Sequence, residues 1–226
     1  MCVVCLGTFT VKSAAQKDNG QFVVVIDAGH GGMDPGKVGI NQALEKDINL
    51  SIAKKLKIYL EQQNITCYMT REEDSGLYDE DESHKKVQDM KRRVEMIETL
   101  QPDLVVSVHQ NSYPSEEVCG SQVFFYKESI CSKELAKMIQ MSIQSTITSK
   151  KQRQEKANSS YYLLKKTSVP IVIVECGFLS NREEANKLVT QEYQERMAWA
   201  IHLGIIKYRN ERTRQSNHAN KDCDNL

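Results

Sequence analysis

No run of apolar residues in the 226-residue chain reaches the roughly 18 that a membrane-spanning helix needs. Nor is there charge of one sign to spare, since 30 Lys and Arg balance 30 Asp and Glu. That balance removes the basic excess of a nucleic-acid binder and the acidic excess of a solvating, disordered chain. A thiolate framework is missing as well. The seven cysteines are odd in number, and Cys67, Cys119, Cys131 and Cys176 in the body show no C-x-x-C spacing. Neither a zinc–thiolate site nor a set of disulfides is expected from them, and single buried thiols are. Repeats and low-complexity blocks are also lacking. What remains is a soluble globular mixture, 40% hydrophobic and 27% charged, at a length that suits one domain.

The ends differ from the middle. Residues 1–20 open with an apolar stretch, Cys2 to Val11, followed by Ser13-Ala14-Ala15. This pattern reads as a signal-peptide remnant without its basic start, or as a disordered N-terminus. In the first case the mature chain starts near Gln16 and is exported. Residues 210–226 are polar and read as a disordered tail. Residues 21–209 are left as the folded domain.

Within that domain Phe22–Ile26 is a continuous run of the kind that forms a strand buried on both faces. From Glu45 the period becomes helical through Ile48, Ile52, Leu56 and Leu60. Further strands are expected at Ile65–Thr70, Leu104–Val108, Gln122–Tyr126 and Ile171–Val174. Helices are expected over Val87–Leu100, Leu135–Ile147 and, in two segments, Ala185–Tyr208. Arg71–Lys86 reads as a long exposed loop and the basic run Lys150–Asn158 as a solvated one. Strands alternating with helices predict an α/β domain with a twisted, mostly parallel sheet and helices on both faces.

Ligand sites in such sheets lie beyond the carboxyl ends of the strands. His30 follows the first strand, His109 the strand at Leu104–Val108, and Glu175 the strand at Ile171–Val174. Glu45 opens the helix after the glycine loop, where it can reach back over the same edge. Taken singly, each has an ordinary explanation. A strand-end histidine is usually a hydrogen-bonded loop residue, and a glutamate in a first helical turn suits the helix dipole. Glu175 is harder to dismiss, because a carboxylate entering a sheet core is costly unless paired or metal-bound. Together the set fits a catalytic zinc, which takes three N or O ligands and leaves one position open. The remaining carboxylate would move protons. The residues alone do not say which glutamate does which.

Phosphate chemistry is excluded by detail. A dinucleotide fingerprint starting at Gly29 needs glycine where Asp34 stands, and the following helix starts too late. Ser107 and Ser112 lack the G-x-S-x-G turn of a serine nucleophile. Cys176 reads as a packing thiol, and His84, His202 and His218 lie away from the strand ends.

Five dispersed segments, IDAGHGG (26–32), LEKDINL (44–50), MTRE (69–72), SVHQNS (107–112) and VECGFLSN (174–181), resemble the zinc-dependent N-acetylmuramoyl-L-alanine amidases of the amidase 3 type. They stand in the family's order and span about residues 22–208. The resemblance implies one Zn2+ held by His30, Glu45 and His109, with Glu175 as the catalytic carboxylate. Arg71 and Asn111 are implied as substrate or supporting residues. The implied reaction cleaves the amide between the lactyl group of N-acetylmuramic acid and L-alanine, on peptidoglycan glycan strands and stem peptides. The Val118–Gln122 and Ser159–Leu164 stretches, and the lack of a wall-binding repeat, resemble the spore-cortex, germination-specific members. Those imply muramic-δ-lactam formation, a downstream deacetylase, possible dependence on a helper lipoprotein, and work in the cell envelope or forespore intermembrane space. Some 65 residues separate His109 from Glu175, too few for the autoinhibitory insertion of cell-division relatives. The alternatives are another zinc hydrolase of the wall, a deacetylase or peptidase, or a catalytically silent wall-binding domain.

Overall fold

The valines after Phe22 form strand β1 (Val23–Ala28), in which every residue is buried. In the computed structural model, which describes residues 21–223 with side chains through 215, the chain then runs α1 (Glu45–Glu61), β2 (Thr66–Met69), α2 (Lys85–Leu100), β3 (Leu104–Asn111) and β4 (Gln122–Tyr126). It continues through α3 (Ile130–Thr146), β5 (Lys156–Asn158), α4 (Tyr162–Lys166), β6 (Ile171–Phe178), α5 (Arg182–Leu188) and α6 (Gln191–Cys223). The signal-like segment before residue 21 lies outside the described residues.

The six strands form one sheet in the order β2-β1-β3-β6-β4-β5. β2, β1, β3 and β6 are mutually parallel, and β4 runs antiparallel to β6 with β5 parallel to β4. Alternate residues of β1 serve different cores. Val24, Ile26 and Ala28 pack on one face with α1, α3 and α6, where Ile52, Leu56, Ile139 and Ile201 are fully buried. Val25 packs on the other face with Ile97 of α2 and Leu163 and Leu164 of α4. Helices therefore cover both faces, which is why the central strands read as unbroken apolar runs. No helix of the described residues is long and apolar enough to cross a membrane.

Helix ends follow local chemistry. Ser129 Oγ accepts the Ser132 N–H at 3.2 Å to start α3, and Asn181 Oδ1 accepts that of Glu184 at 3.0 Å to start α5. Gln101, in the left-handed region at φ 44°, closes α2 ahead of Pro102.

Three expectations need correcting. The basic run Lys150–Asn158 is not wholly loop, because Lys156–Asn158 pairs with β4 as an edge strand. An edge strand lying largely in solvent can be polar on both sides, so its sequence shows no apolar alternation. The polar tail from Asn210 is not unstructured, since α6 continues through Cys223. Glu211, Arg212, Arg214 and Gln215 are good helix formers with no glycine or proline among them. Exposed residues 210–215 prolong the helix without adding to the core. Finally, Cys131 is exposed, while Cys67, Cys119 and Cys176 are the buried free thiols expected.

Candidate metal centre and its cavity

The loop leaving β1 is pinned by two buried arginines. Arg71 donates from Nε to the Ala28 carbonyl at 2.9 Å and from Nη2 to those of Gly29 and Lys46 at 3.1 and 2.7 Å. Arg93, on α2 and 1% exposed, donates to the Ala28 and His30 carbonyls at 3.0 and 2.8 Å. Its charge is met by Asp27 Oδ1 at 2.6 Å and Asp89 Oδ2 at 2.7 Å. Burial alone would push the Asp27 carboxyl up, but the Arg93 guanidinium and the Ser107 hydroxyl hold it down at about 2. Such pairing is what makes buried charges tolerable.

These contacts fix His30 in the left-handed region, at φ 63°, a conformation costly for a non-glycine residue and commonly held at functional sites. Its Nδ1 lies 2.8 Å from Asp34 Oδ2, which leaves Nε2 facing Glu45 Oε1 at 3.2 Å. His109, inside β3, brings Nδ1 to 3.0 Å from the same Glu45 oxygen. The two rings meet edge-on with centroids 5.0 Å apart. Glu45 is the first residue of α1 and only 2% exposed. Its Oε2 accepts the Lys37 N–H at 2.8 Å and its Oε1 that of Gln110 at 3.1 Å.

Burial would lower the His30 imidazole, but the Glu45 and Asp34 carboxylates raise it to about 9. Burial likewise acts to raise Glu45, and the hydrogen bonds from His109 and His30 hold it well below the carboxylate range.

Two histidine nitrogens and a carboxylate oxygen, all within 4.8 Å of one another, converge here. Zinc bonds of about 2.0–2.2 Å at tetrahedral angles place ligand atoms roughly 3.3–3.5 Å apart. The Glu45–His30 separation of 3.2 Å and the Glu45–His109 separation of 3.0 Å lie near that spacing. Asp34 supplies the carboxylate partner that orients a metal-bound histidine. The donor set thus fits a zinc ion.

Glu175 sits inside β6, in register with His109 of β3. Burial pushes its carboxyl up to about 7. Oε1 lies 3.3 Å from the Tyr161 hydroxyl, and Oε2 has no partner among the described residues. Both histidines and Glu175 border a cavity of about 200 Å3 between the sheet edge, α2 and α4. Met33, Met90, Leu163 and Tyr161 give it largely apolar walls.

His30, His109 and Glu175, expected at the strand ends, and Glu45, expected at a helix start, are therefore brought together, although His109 and Glu175 lie within strands that run on to Asn111 and Phe178. Arg71 is buried and spends its donors on backbone carbonyls, Glu73 O at 3.0 Å included. Asn111 is not among the residues lining the cavity, and its Oδ1 accepts the Ser112 N–H at 2.8 Å. Asp34, Arg93 and Tyr161 were not anticipated. Asp34 left a signal, four residues after His30 in a short loop, and Tyr161 lies in the Ser159–Leu164 stretch that carried part of the resemblance. Cys176 is fully buried, and burial pushes its thiol far up, away from nucleophilic use.

Comparisons with known proteins bear on this geometry. A family described as N-acetylmuramoyl-L-alanine amidase matches residues 24–207. A germination-specific N-acetylmuramoyl-L-alanine amidase of Bacillus subtilis (strain 168) is 35% identical over 189 residues, covering 82% of this chain and 79% of its own. Among solved structures, the CwlD amidase of Clostridioides difficile in complex with the GerS lipoprotein superposes with a TM-score of 0.82 at 38% identity. That match covers 84% of this chain and 99% of the other. The amidase AmiC2 of Nostoc punctiforme gives 0.75 at 34% identity, covering 84% and 98%.

Proposed function

Since the chain belongs to the N-acetylmuramoyl-L-alanine amidases of the amidase 3 type and is a peptidoglycan amidase related to the germination enzymes, we propose that it works with one zinc ion. His30, Glu45 and His109 hold the ion, and Glu175 carries the proton. The observation that supports this reading best is the convergence of both histidines on Glu45 Oε1 beside a buried glutamate with one unpartnered oxygen. When bound, zinc supplies Lewis-acid polarisation of the scissile carbonyl and makes water more acidic. Asp34 fixes which nitrogen of His30 is free to ligate. Glu175 removes a proton from the attacking water and delivers it to the alanine nitrogen as the amide C–N bond breaks. The raised Glu175 carboxyl suits both halves of that exchange near neutral pH. Arg71 and Arg93 hold the loop that carries His30.

The physiological setting follows the relatives. We place the enzyme outside the cytoplasm, in spore-cortex maturation, where removal of the stem peptide precedes a deacetylase and muramic-δ-lactam formation. A helper lipoprotein is a fitting partner, since the C. difficile relative was solved with one.

Digestion of purified peptidoglycan with and without chelator, read by mass spectrometry, tests the activity. Release of intact stem peptides that stops on chelation is expected. Release of acetate would instead mark a deacetylase, and no product with no bound zinc a silent binder. In the same assay Glu175→Gln should keep zinc and lose roughly 10²–10⁴-fold in turnover, whereas His30→Ala should lose both. Full activity in Glu175→Gln would overturn the assignment.

A further inference from the structure

Glu175 presents two inequivalent oxygens, and the residue that makes them so is Tyr161. The phenol is held from two sides. Asn158 Oδ1, at the end of β5, accepts the Ser160 and Tyr161 backbone N–H groups at 2.7 and 3.0 Å, fixing the turn into α4. The ring packs edge-on against Phe124 of β4, centroids 5.6 Å apart and planes at 79°. So anchored, Tyr161 forms part of the cavity wall and brings its hydroxyl to 3.3 Å from Glu175 Oε1. Contacts of catalytic groups commonly stand this long before substrate arrives and tighten in the complex. Burial and the neighbouring Glu175 push the phenol above its ordinary range, so its proton stays and is donated. Glu175 itself is 6% exposed, and its Oε2 is buried without a hydrogen-bond partner among the described residues, so the Tyr161 hydroxyl is the one side-chain group seen to hold the carboxylate.

Resting on the amidase reading above, we propose that Tyr161 is a positioning residue that holds the Glu175 carboxylate through Oε1 and fixes the rotamer from which it moves the proton. The balance is simple. An O–H bond of water breaks as one forms on the Glu175 carboxylate. That bond then breaks as an N–H bond forms on the alanine nitrogen and the amide C–N bond opens. The Tyr161 proton stays on its own oxygen throughout. Without the phenol, the carboxylate loses its fixed rotamer.

The test is Tyr161→Phe, which keeps the ring on Phe124 and removes only the hydroxyl. Zinc-loaded protein is assayed on soluble glycan-strand fragments, alone and in a Glu175→Gln background. A hydrogen bond to a charged group is worth enough to predict a fall in kcat of roughly tenfold to a hundredfold. KM should stay within about twofold and zinc content should not change, because the interaction serves the chemical step and not ground-state binding. In Glu175→Gln the same substitution should cost almost nothing, because the partner it positions is gone. Wild-type kcat in Tyr161→Phe, or an equal loss in both backgrounds, overturns the proposal while leaving the amidase reading intact. A wild-type protein that releases no stem peptide removes both.

Discussion

The glycines after β1 are placed by what stands against them. A Cβ on Gly29 would collide with the His109 imidazole, and one on Gly36, itself at φ 68°, would come within 2.6 Å of Glu45 Oε2 and 2.7 Å of His30 Cδ2. Gly29 lets the His109 ring lie against backbone, and Gly36 leaves room for Glu45 and His30 beside it. Gly29→Ala should fold but displace His109, lowering zinc affinity by roughly 10–100-fold, as loss of a ligand's support commonly does. Competition against a chromophoric chelator measures this, with circular dichroism confirming the fold. An unchanged affinity would mean that His109 is not a ligand in this position.

At the level of elements, the sequence was most legible where packing dictates it. β1, β3 and β6 are buried on both faces, so their β-branched runs are unbroken and the residues at their carboxyl ends could be picked out as a group. Glu45 could be placed because the helical period begins at it. What escaped notice depends on partners distant in the chain. Arg93 sits in a charged helix, and nothing in Lys-Arg-Arg says which side chain turns inward to Asp27, 66 residues away. Tyr161 lies in a stretch noted for its resemblance, but its place in the cavity wall beside Glu175 depends on a strand that precedes it, β5, docking on β4. Ends were misjudged where solvent sets no pattern, as in the last turns of α6. One close approach between elements was also invisible. A Cβ on Gly204 of α6 would meet Ile139 of α3 at 2.5 Å from its backbone Cα. Gly204→Ala should therefore destabilise the fold, since overpacking of about 1–3 kcal/mol outweighs the roughly 1 kcal/mol gained in helix propensity. A lowered thermal midpoint with turnover per folded molecule preserved is the expected result.

For the whole molecule, the proposed zinc site couples folding to pH. In the metal-free protein His30 titrates at about 9, above its ordinary 6.5. A group raised in this way stabilises the fold fully below about 6.5, and that contribution fades as pH climbs through 9. The thermal midpoint of the chelated protein should thus fall over this window. Zinc needs the neutral imidazole, so its apparent affinity should rise about tenfold per pH unit between 7 and 9 and then level off. Titrations at pH 7, 8 and 9 measure this, and a flat affinity would remove His30 from the ligand set. The strand order carries a last consequence, one of timing. β6 is the final strand in the chain, yet it fills the slot between β3 and β4. A nascent chain interrupted before residue 171 carries His30, Glu45 and His109 without Glu175, and lacks the strand that joins β3 to β4. The cluster at the strand ends is therefore complete only once β6 is in place.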